Sequence, residues 1–298
     1  MTLKGLKYYL CNPDRWYAFF ATRGLLNWMS DETYLKFAFR VRCGSTLDLE
    51  NPKTYNEKLQ WLKLHDRKPE YTTMVDKYEV KQYIAEKIGD EYVIPTLGVW
   101  DRFEDIDFDS LPEQFVLKCT HDSGGLVICI DKAKLDIADA RKRITKSLKK
   151  NYYWANREWP YKNVQPRIIA EKFMVDDSGG LQDYKVLCFN GEPKLIQVHK
   201  GRFQSHTQDY YDTQWKRQAI YQGDPMSSTE TAKPVFLEQM LEVSRKLSAG
   251  IPHVRVDWYY VDGQLYFGEL TFFDGSGLVP FEPEHWDYTL GSWIDLTL

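Results

Sequence analysis

Apolar positions recur at helical spacing in the first part of the chain and at strand spacing later. After Ser30, Tyr34, Phe37 and Val41 stand three and four residues apart and Gly44 follows, which predicts a capped helix with a glycine stop. Thr54 and Glu57 precede Leu59 and Leu62 in a capping-box pattern. Asp76 and Glu79 repeat it before Val80, Tyr83, Ile84 and Ile88, with Gly89 as the stop. The texture then shortens. The apolar runs 115–119 and 126–130 flank His121-Asp122-Ser123-Gly124-Gly125, a hairpin with a glycine-bearing loop. Residues 136–150 predict a basic, exposed helix. Strands follow at 167–174, 183–189 and 194–199, the last two joined by Asn190-Gly191, a favoured hairpin turn. Residues 200–232 are polar and irregular and predict a long loop. Pro234 opens a helix carrying Phe236, Met240, Val243 and Leu247, and Gly250 follows it. A final hairpin, 253–261 and 264–271, turns at Asp262-Gly263. Helices followed by antiparallel hairpins with interspersed helices define an α+β fold.

Charge and composition then narrow the function. The 39 Lys and Arg against 43 Asp and Glu leave a net charge of −4, so no basic footprint for nucleic acid is expected. The cysteines, Cys11, Cys43, Cys119, Cys129 and Cys188, are odd in number and contain no CxxC pair. That argues against a disulfide framework or structural zinc and for a reducing, cytoplasmic setting. The most apolar N-terminal stretch, Trp16 to Trp28, is broken by Arg23 and falls short of the roughly 20 apolar residues of a spanning helix. An amphipathic helix resting on the inner face of a membrane, or on a partner, is the alternative to ordinary packing.

Several residues suit chemistry. Arg255 and Asp257 share one face of a strand, as Glu269 and Thr271 do on its hairpin partner. Inward carboxylates on neighbouring strands want a cation between them, and magnesium takes carboxylate and phosphate oxygens. A plain two-residue turn would set Asp257 opposite Gly268 and Glu269 on the other face, so a shared metal requires an odd loop or a bulge. A solvated hairpin with outward charges is the alternative. Lys118 beside the 121–125 loop suits a polyphosphate, although GxxxxGK[ST] is absent and an ordinary turn explains the same residues. Lys77 at a helix start opposes the helix dipole unless an anion lies near. Glu171-Lys172-Phe173-Met174 at a strand end suits an adenine slot, and Asp183 a ribose. Asp107-Phe108-Asp109 is a DxD of the glycosyltransferase type, here inside an acidic run that reads as a solvated loop.

Taken in chain order, these features resemble the ATP-grasp superfamily. Longer segments bring the resemblance to the TupA-like ATP-grasp family, associated with teichuronopeptide and other bacterial surface polysaccharides. They are residues 51–61, Arg167 to Glu171, Asp183-Tyr184-Lys185, Cys188 to Gly191 and Phe267 to Thr271. The resemblance implies an N-terminal helical region (1–75), a small lid lobe (76–168) and a large lobe with the metal site (169–298), the lobes clasping ATP between antiparallel sheets. It implies that Lys77 and Lys118 contact phosphates under a lid formed by His121, Asp122, Ser123, Gly124 and Gly125. Glu171, Lys172, Phe173 and Met174 would line the adenine slot, with backbone groups of Lys172 and Met174 on the base edge. Asp183 would take the ribose, and Lys185 a phosphate. Arg255 would stabilise the transferring phosphoryl group, and Asp257, Glu269 and Thr271 would hold Mg2+. Thr271 stands where many members carry Asn, and Asp122 where related lids carry Gly, which predicts weaker metal and ATP binding.

The implied reaction is ATP-dependent ligation of a carboxylate to an amine through an acyl phosphate. The carboxylate would belong to a uronic acid or similar acidic sugar, and the amine to an amino acid or small amino compound. His199, Lys200, Arg202 and His206, with the aromatic stretch Tyr152 to Tyr161, suit an acidic-glycan site. Two other readings remain at this stage. One is a glycosyltransferase using Asp107 and Asp109. The other is a nucleotide-binding assembly protein without turnover.

Overall fold

The computed structural model describes residues 13–176, 181–201 and 206–297. Helix α1 (Pro13–Thr22) packs on α2 (Asp31–Cys43), where the Tyr17 and Tyr34 hydroxyls lie 2.9 Å apart. Ser30 caps α2 and Gly44 ends it at a left-handed φ of 75°. Phe20, Leu25 and Trp28 remain exposed beside this pair. Among the described residues no helix is long and apolar enough to cross a membrane. In α3 (Tyr55–His65) both halves of the Thr54–Glu57 capping box form. The short α4 (Glu70–Val75) leads through Asp76 and Lys77 into α5 (Glu79–Ile88). There the second capping box is only half made. The Asp76 carboxylate accepts the Tyr78 and Glu79 N–H groups, but the Glu79 carboxylate turns instead to Arg167 at 2.7 Å.

Four antiparallel strands form the smaller sheet, in the order β1 (Thr96–Trp100), β4 (Ile168–Lys172), β2 (Phe115–Cys119), β3 (Leu126–Cys129). Helix α6 (Ile137–Leu148) packs Ala140 and Ile144 against Phe115, Leu117 and Val127 of this sheet. The four-residue α7 (Tyr153–Asn156) follows. After it, Arg157 is fully buried, donates to the Leu26 carbonyl and lies over Tyr34, so it fastens the N-terminal helices.

The larger sheet has six antiparallel strands in the order β10 (Gln264–Thr271), β9 (His253–Val261), β5 (Asp183–Phe189), β6 (Glu192–Lys200), β7 (Thr207–Asp212), β8 (Arg217–Gln218). Helix α8 (Leu237–Ser248) covers its apolar face, burying Met240, Val243 and Leu247 with Val186, Ile196, Val254 and Val256. The chain closes with α9 (His285–Trp293).

Two expectations are corrected. Residues 200–232 are not one loop, because 207–212 and 217–218 pair as β7 and β8. Their pattern hid this, since β7 carries Gln208 and Tyr210 on one face and Asp209 on the other, and the buried Asp209 is neutralised by Arg217. The seams expected at 75/76 and 168/169 also fall inside packed units. Helices α3 to α5 bury Leu59, Met74, Val80 and Ile84 in the core of the larger sheet, while β4 lies wholly in the smaller one.

Candidate active site

The larger sheet has a second face that is polar, and strand register explains it. Residues directly opposite one another on antiparallel strands share a face. Asp257 on β9 opposes Lys185 on β5, which opposes Gln197 on β6, which opposes Tyr210 on β7. One step along, Asp183 opposes His199, which opposes Gln208. Such a row is buried at little cost only where its members satisfy one another, as they do around Gln197. Gln197 donates to Tyr210 and to Asp274 at 2.9 Å each, and Tyr210 donates to Gln222.

Strand β10 joins this face through a bulge. Asp262 and Gly263, at φ of 52° and 78°, form a tight two-residue turn, and Phe267 pairs with Trp258. The simple register would then send Glu269 to the apolar face. Instead the pairing shifts between Phe267 and Leu270, so that Leu270 opposes Val256 and Thr271 opposes Arg255. Gly268 and Glu269 together face Asp257, and Glu269 reaches the polar side. A Cβ on Gly268 would lie 3.1 Å from both the Asp257 carbonyl and the Tyr259 ring. The bulge that a shared metal requires is therefore present.

Arg255 is the hub. Its Nε and one terminal nitrogen each lie 2.7 Å from an Asp257 oxygen. That terminal nitrogen also meets Glu269 at 3.2 Å and Thr271 at 3.1 Å, and the other reaches Asp274. Burial opposes its charge, but Asp257 and Asp274 outweigh that and hold it firmly protonated. Lys185 completes the clamp on Asp257. Desolvation pulls the Glu269 carboxyl up, yet Lys77, Lys185 and Arg255 hold it near 2.

A second clamp sits opposite, where Glu171 receives Lys81 on one oxygen and Lys118 on the other, each at 2.6 Å. Burial would raise this carboxyl, but the two lysines hold it at about 2.

Between the sheets lie two adjoining chambers of about 340 and 350 Å³. The first is lined by Lys77, Lys118, Lys185, Asp257, Glu269 and the 122–125 loop. The second is apolar, lined by Ile94, Val116, Ile128, Phe173, Met174 and Leu181. Glu171 and Asp183 border both. At the mouth of the apolar chamber Lys172 donates its N–H to the Pro95 carbonyl at 3.0 Å. An antiparallel pair of this kind normally exchanges two bonds. Pro95 has no N–H to return, so the Lys172 carbonyl lacks its sheet partner.

Most of the residues singled out in the sequence converge on this cleft, with qualifications. His121 does not border it. Its ring is buried against the end of α6, with Nε2 at 3.2 and 3.0 Å from the Ser147 and Lys150 carbonyls. Asp122 is likewise folded inward, accepting from the Ser147 hydroxyl and from the Gly125 N–H, so its charge is spent on holding the loop. Lys77 donates to the Asp122 carbonyl and tethers the same loop. Arg255 stands behind Asp257 and Glu269 and not on the cleft wall. His199 is no cation for a carboxylate, because burial, Lys185 and Arg255 drive its pKa down to about 2. Lys200 ends β6 half-buried, and Arg202 lies outside the described residues. Cys11 does too. Of the aromatic stretch, Tyr153 and Trp154 serve the N-terminal helices through Asp31 and Arg157. Tyr152 instead lies near Ser123 of the loop. Asp107 and Asp109 sit in an exposed turn away from both chambers, where Asp107 accepts the Asp109 N–H at 3.1 Å. The sequence reading missed Lys81, Gln197 and Asp274. Lys81 carried a signal, since it follows Lys77 by four residues at the start of a helix.

Among the described residues no three or more His, Cys, Asp or Glu side chains form a ready metal cage. The donor set, Asp257 and Glu269 with the Thr271 hydroxyl beside them, fits a magnesium ion whose remaining ligands are phosphate oxygens.

Two antiparallel sheets facing each other across a charged and an apolar chamber are the arrangement of an ATP-grasp protein. The chain belongs to the TupA-like ATPgrasp family, whose model matches residues 57–295. No curated protein matches it. Among solved structures it is similar to D-alanine–D-alanine ligase from Bacillus anthracis complexed with ATP, at 17% identity and TM-score 0.40 over 67% of this chain and 54% of that one. It is similar to the ADP complex of N5-carboxyaminoimidazole ribonucleotide synthetase at 16% identity and TM-score 0.44, over 82% and 57% of the two chains. Biotin carboxylase from Campylobacter jejuni follows at 15% identity and TM-score 0.41, over 67% and 40%. The chain spans roughly half the length of these relatives, and at such distances no residue role carries across.

Proposed function

We propose that the chain is an ATP-dependent ligase that joins a carboxylate, that of a uronic acid or similar acidic sugar, to an amine through an acyl phosphate. The observation that carries this reading is the pair of adjoining chambers, one lysine-rich and one apolar, with two aligned carboxylates at the charged end.

The base would enter the apolar chamber. There the Lys172 carbonyl, which Pro95 cannot satisfy, accepts from an exocyclic amino group, and the Met174 backbone lies two residues on. Asp183, bordering both chambers, suits the ribose. Lys77, Lys118 and Lys185 supply positive charge where phosphoryl transfer develops negative charge. Magnesium, held by Asp257 and Glu269, would neutralise the polyphosphate. Arg255 serves that step through the carboxylates it aligns. The substrate carboxylate oxygen attacks the terminal phosphorus as its bond to the bridging oxygen breaks and ADP leaves with the electron pair; the amine then displaces phosphate from the acyl carbon and gives up its proton. An acyl phosphate hydrolyses in water, so the 122–125 loop, tethered by Lys77 and anchored by Ser147, is suited to act as the excluding lid. Tyr152, near that loop at Ser123 and near Glu269, offers a ring face for a sugar.

Thermal unfolding with Mg-ATP, against UDP-sugars with manganese, tests the reading. ATP at about 100 times its dissociation constant should add roughly 2.7 kcal/mol, and Lys118→Ala should remove most of it. Stabilisation by a UDP-sugar alone, indifferent to Lys118→Ala, would sink the reading. ADP release with sugar acids and amines then identifies the pair.

A further inference from the structure

Away from both chambers, a surface cleft of about 330 Å³ lies between the start of β6, the β7–β8 turn and α9. Leu195 lines it, on the same sheet face as Gln197 and His199 and about 13 Å along β6 from His199. Trp286 and Trp293 line it from α9. They stand seven residues apart, hence on one side of the helix and about 10 Å apart along its axis. Both rings are half-buried and held in place. The Trp286 indole N–H donates to the Ala219 carbonyl at 3.1 Å, and Trp293 meets Phe189 edge-on with ring centres 5.2 Å apart.

Lys194 reaches this cleft because β6 is bulged. Leu187 pairs with Leu195 and Cys188 with Pro193, so Lys194 is the extra residue. Regular pleating would send it to the face opposite Leu195, the one that α8 covers. Instead both residues line the cleft, and the Lys194 ammonium lies 5.4 Å from the Trp293 ring centre. Lys194 is exposed, and no carboxylate pairs with it among the described residues. Glu192, two residues before it, is engaged by Arg245 at 2.9 Å. The Asp212 carboxylate is spent on its own turn, accepting the Gln214 and Lys216 N–H groups at 2.9 Å each and the Gln218 amide at 3.1 Å. The Thr213 hydroxyl and Gln218 Oε1 have no hydrogen-bond partner among the described residues, and both residues line the cleft.

Two fixed indoles, one unpaired cation and two unused neutral hydrogen-bonding groups match one ligand chemistry. We propose that this cleft binds an acidic oligosaccharide, as a second site apart from the nucleotide cleft. The indole surfaces pack on the C–H faces of pyranose rings, Lys194 meets a uronic carboxylate, and Thr213 and Gln218 take hydroxyls. The tryptophans are further apart along α9 than one pyranose spans, so the ligand is a chain of sugars. Binding here needs no nucleotide, and the inference goes beyond the ligase reading.

The test is nitrogen-15 NMR of the tryptophan indole N–H groups in the full chain without nucleotide, assigned with Trp286→Phe and Trp293→Phe. The probes are tetragalacturonic acid and a hyaluronan tetrasaccharide, against cellotetraose and tetraglutamate. At least one acidic tetrasaccharide should move the Trp286 and Trp293 resonances. Lys194→Ala, a change at an exposed side chain, should weaken that binding several-fold and leave the melting temperature unchanged. Lys118→Ala should leave the binding as it is. The proposal is overturned if neither acidic tetrasaccharide moves these resonances, or if cellotetraose or tetraglutamate moves them as strongly. Binding lost in Lys118→Ala and kept in Lys194→Ala would put the sugar in the nucleotide cleft and overturn it too. Failure of the ligase reading appears separately, as absent stabilisation by Mg-ATP.

Discussion

Glu171→Gln keeps the shape of a side chain that is 5% exposed and removes only its charge, leaving Lys81 and Lys118 facing each other without an anion between them. The size of the loss follows from the carboxyl itself. A group whose pKa falls from 4.5 to about 2 on folding contributes about 3 kcal/mol at neutral pH, in line with the roughly 3–5 kcal/mol for breaking a buried pair. Because the folded value is the depressed one, this stability is complete above about pH 4.5 and is lost as pH falls through about 2. Urea unfolding of wild type and variant should therefore show a deficit of about 3 kcal/mol at pH 7, shrinking to roughly 1 kcal/mol at pH 3. An equal deficit at both values would mean that glutamine merely fits badly, and the ion clamp would be refuted.

Other consequences can be checked alongside. Gly268→Ala should cost about 1–3 kcal/mol, because the bulge cannot give way at the Asp257 carbonyl, and should weaken the magnesium dependence of ATP binding in calorimetric titration. In the same titration Glu269→Gln should lose magnesium dependence with a smaller stability cost, since its side chain is 41% exposed and Asp257 keeps Arg255 and Lys185. A Glu269→Gln variant whose ATP affinity still rises with magnesium would remove Glu269 from the metal site. Ser147→Ala should cost about 1–2 kcal/mol and raise hydrogen exchange at residues 122–125, because Asp122 loses its buried donor. Unchanged exchange there would show that the loop does not depend on this anchor.

What the sequence made legible was local. The capping box at Thr54, the glycine stop at Gly44 and the turns at Asn190-Gly191 and Asp262-Gly263 are specified within a few residues. The register of the last hairpin said more. It could not decide that a bulge exists, but it showed that Asp257 and Glu269 meet only if one does. What stayed hidden depended on partners distant in the chain. Asp274 follows β10 and acquires its role from Arg255, nineteen residues earlier. Strand β7 alternates polar with polar, because one face meets the buried network and the other pairs Asp209 with Arg217. His121 and Asp122 have the composition of a phosphate loop, yet their side chains are spent on α6, and of the two only Asp122 borders the cleft, beside Ser123, Gly124 and Gly125.

Pro95 bears on how this cleft would look to genetics. If the purine is read at the Lys172 carbonyl, no side chain there carries the recognition, and an alanine scan would outline the charged end while passing over the base end. The informative change runs the other way. Pro95→Ala would introduce an N–H able to close the second bond with Lys172, occupying the carbonyl and costing nucleotide affinity through a hydrogen bond gained. On that reading the proline would keep a binding group available by withholding a donor, and the position would appear intolerant even to substitutions that strengthen the sheet.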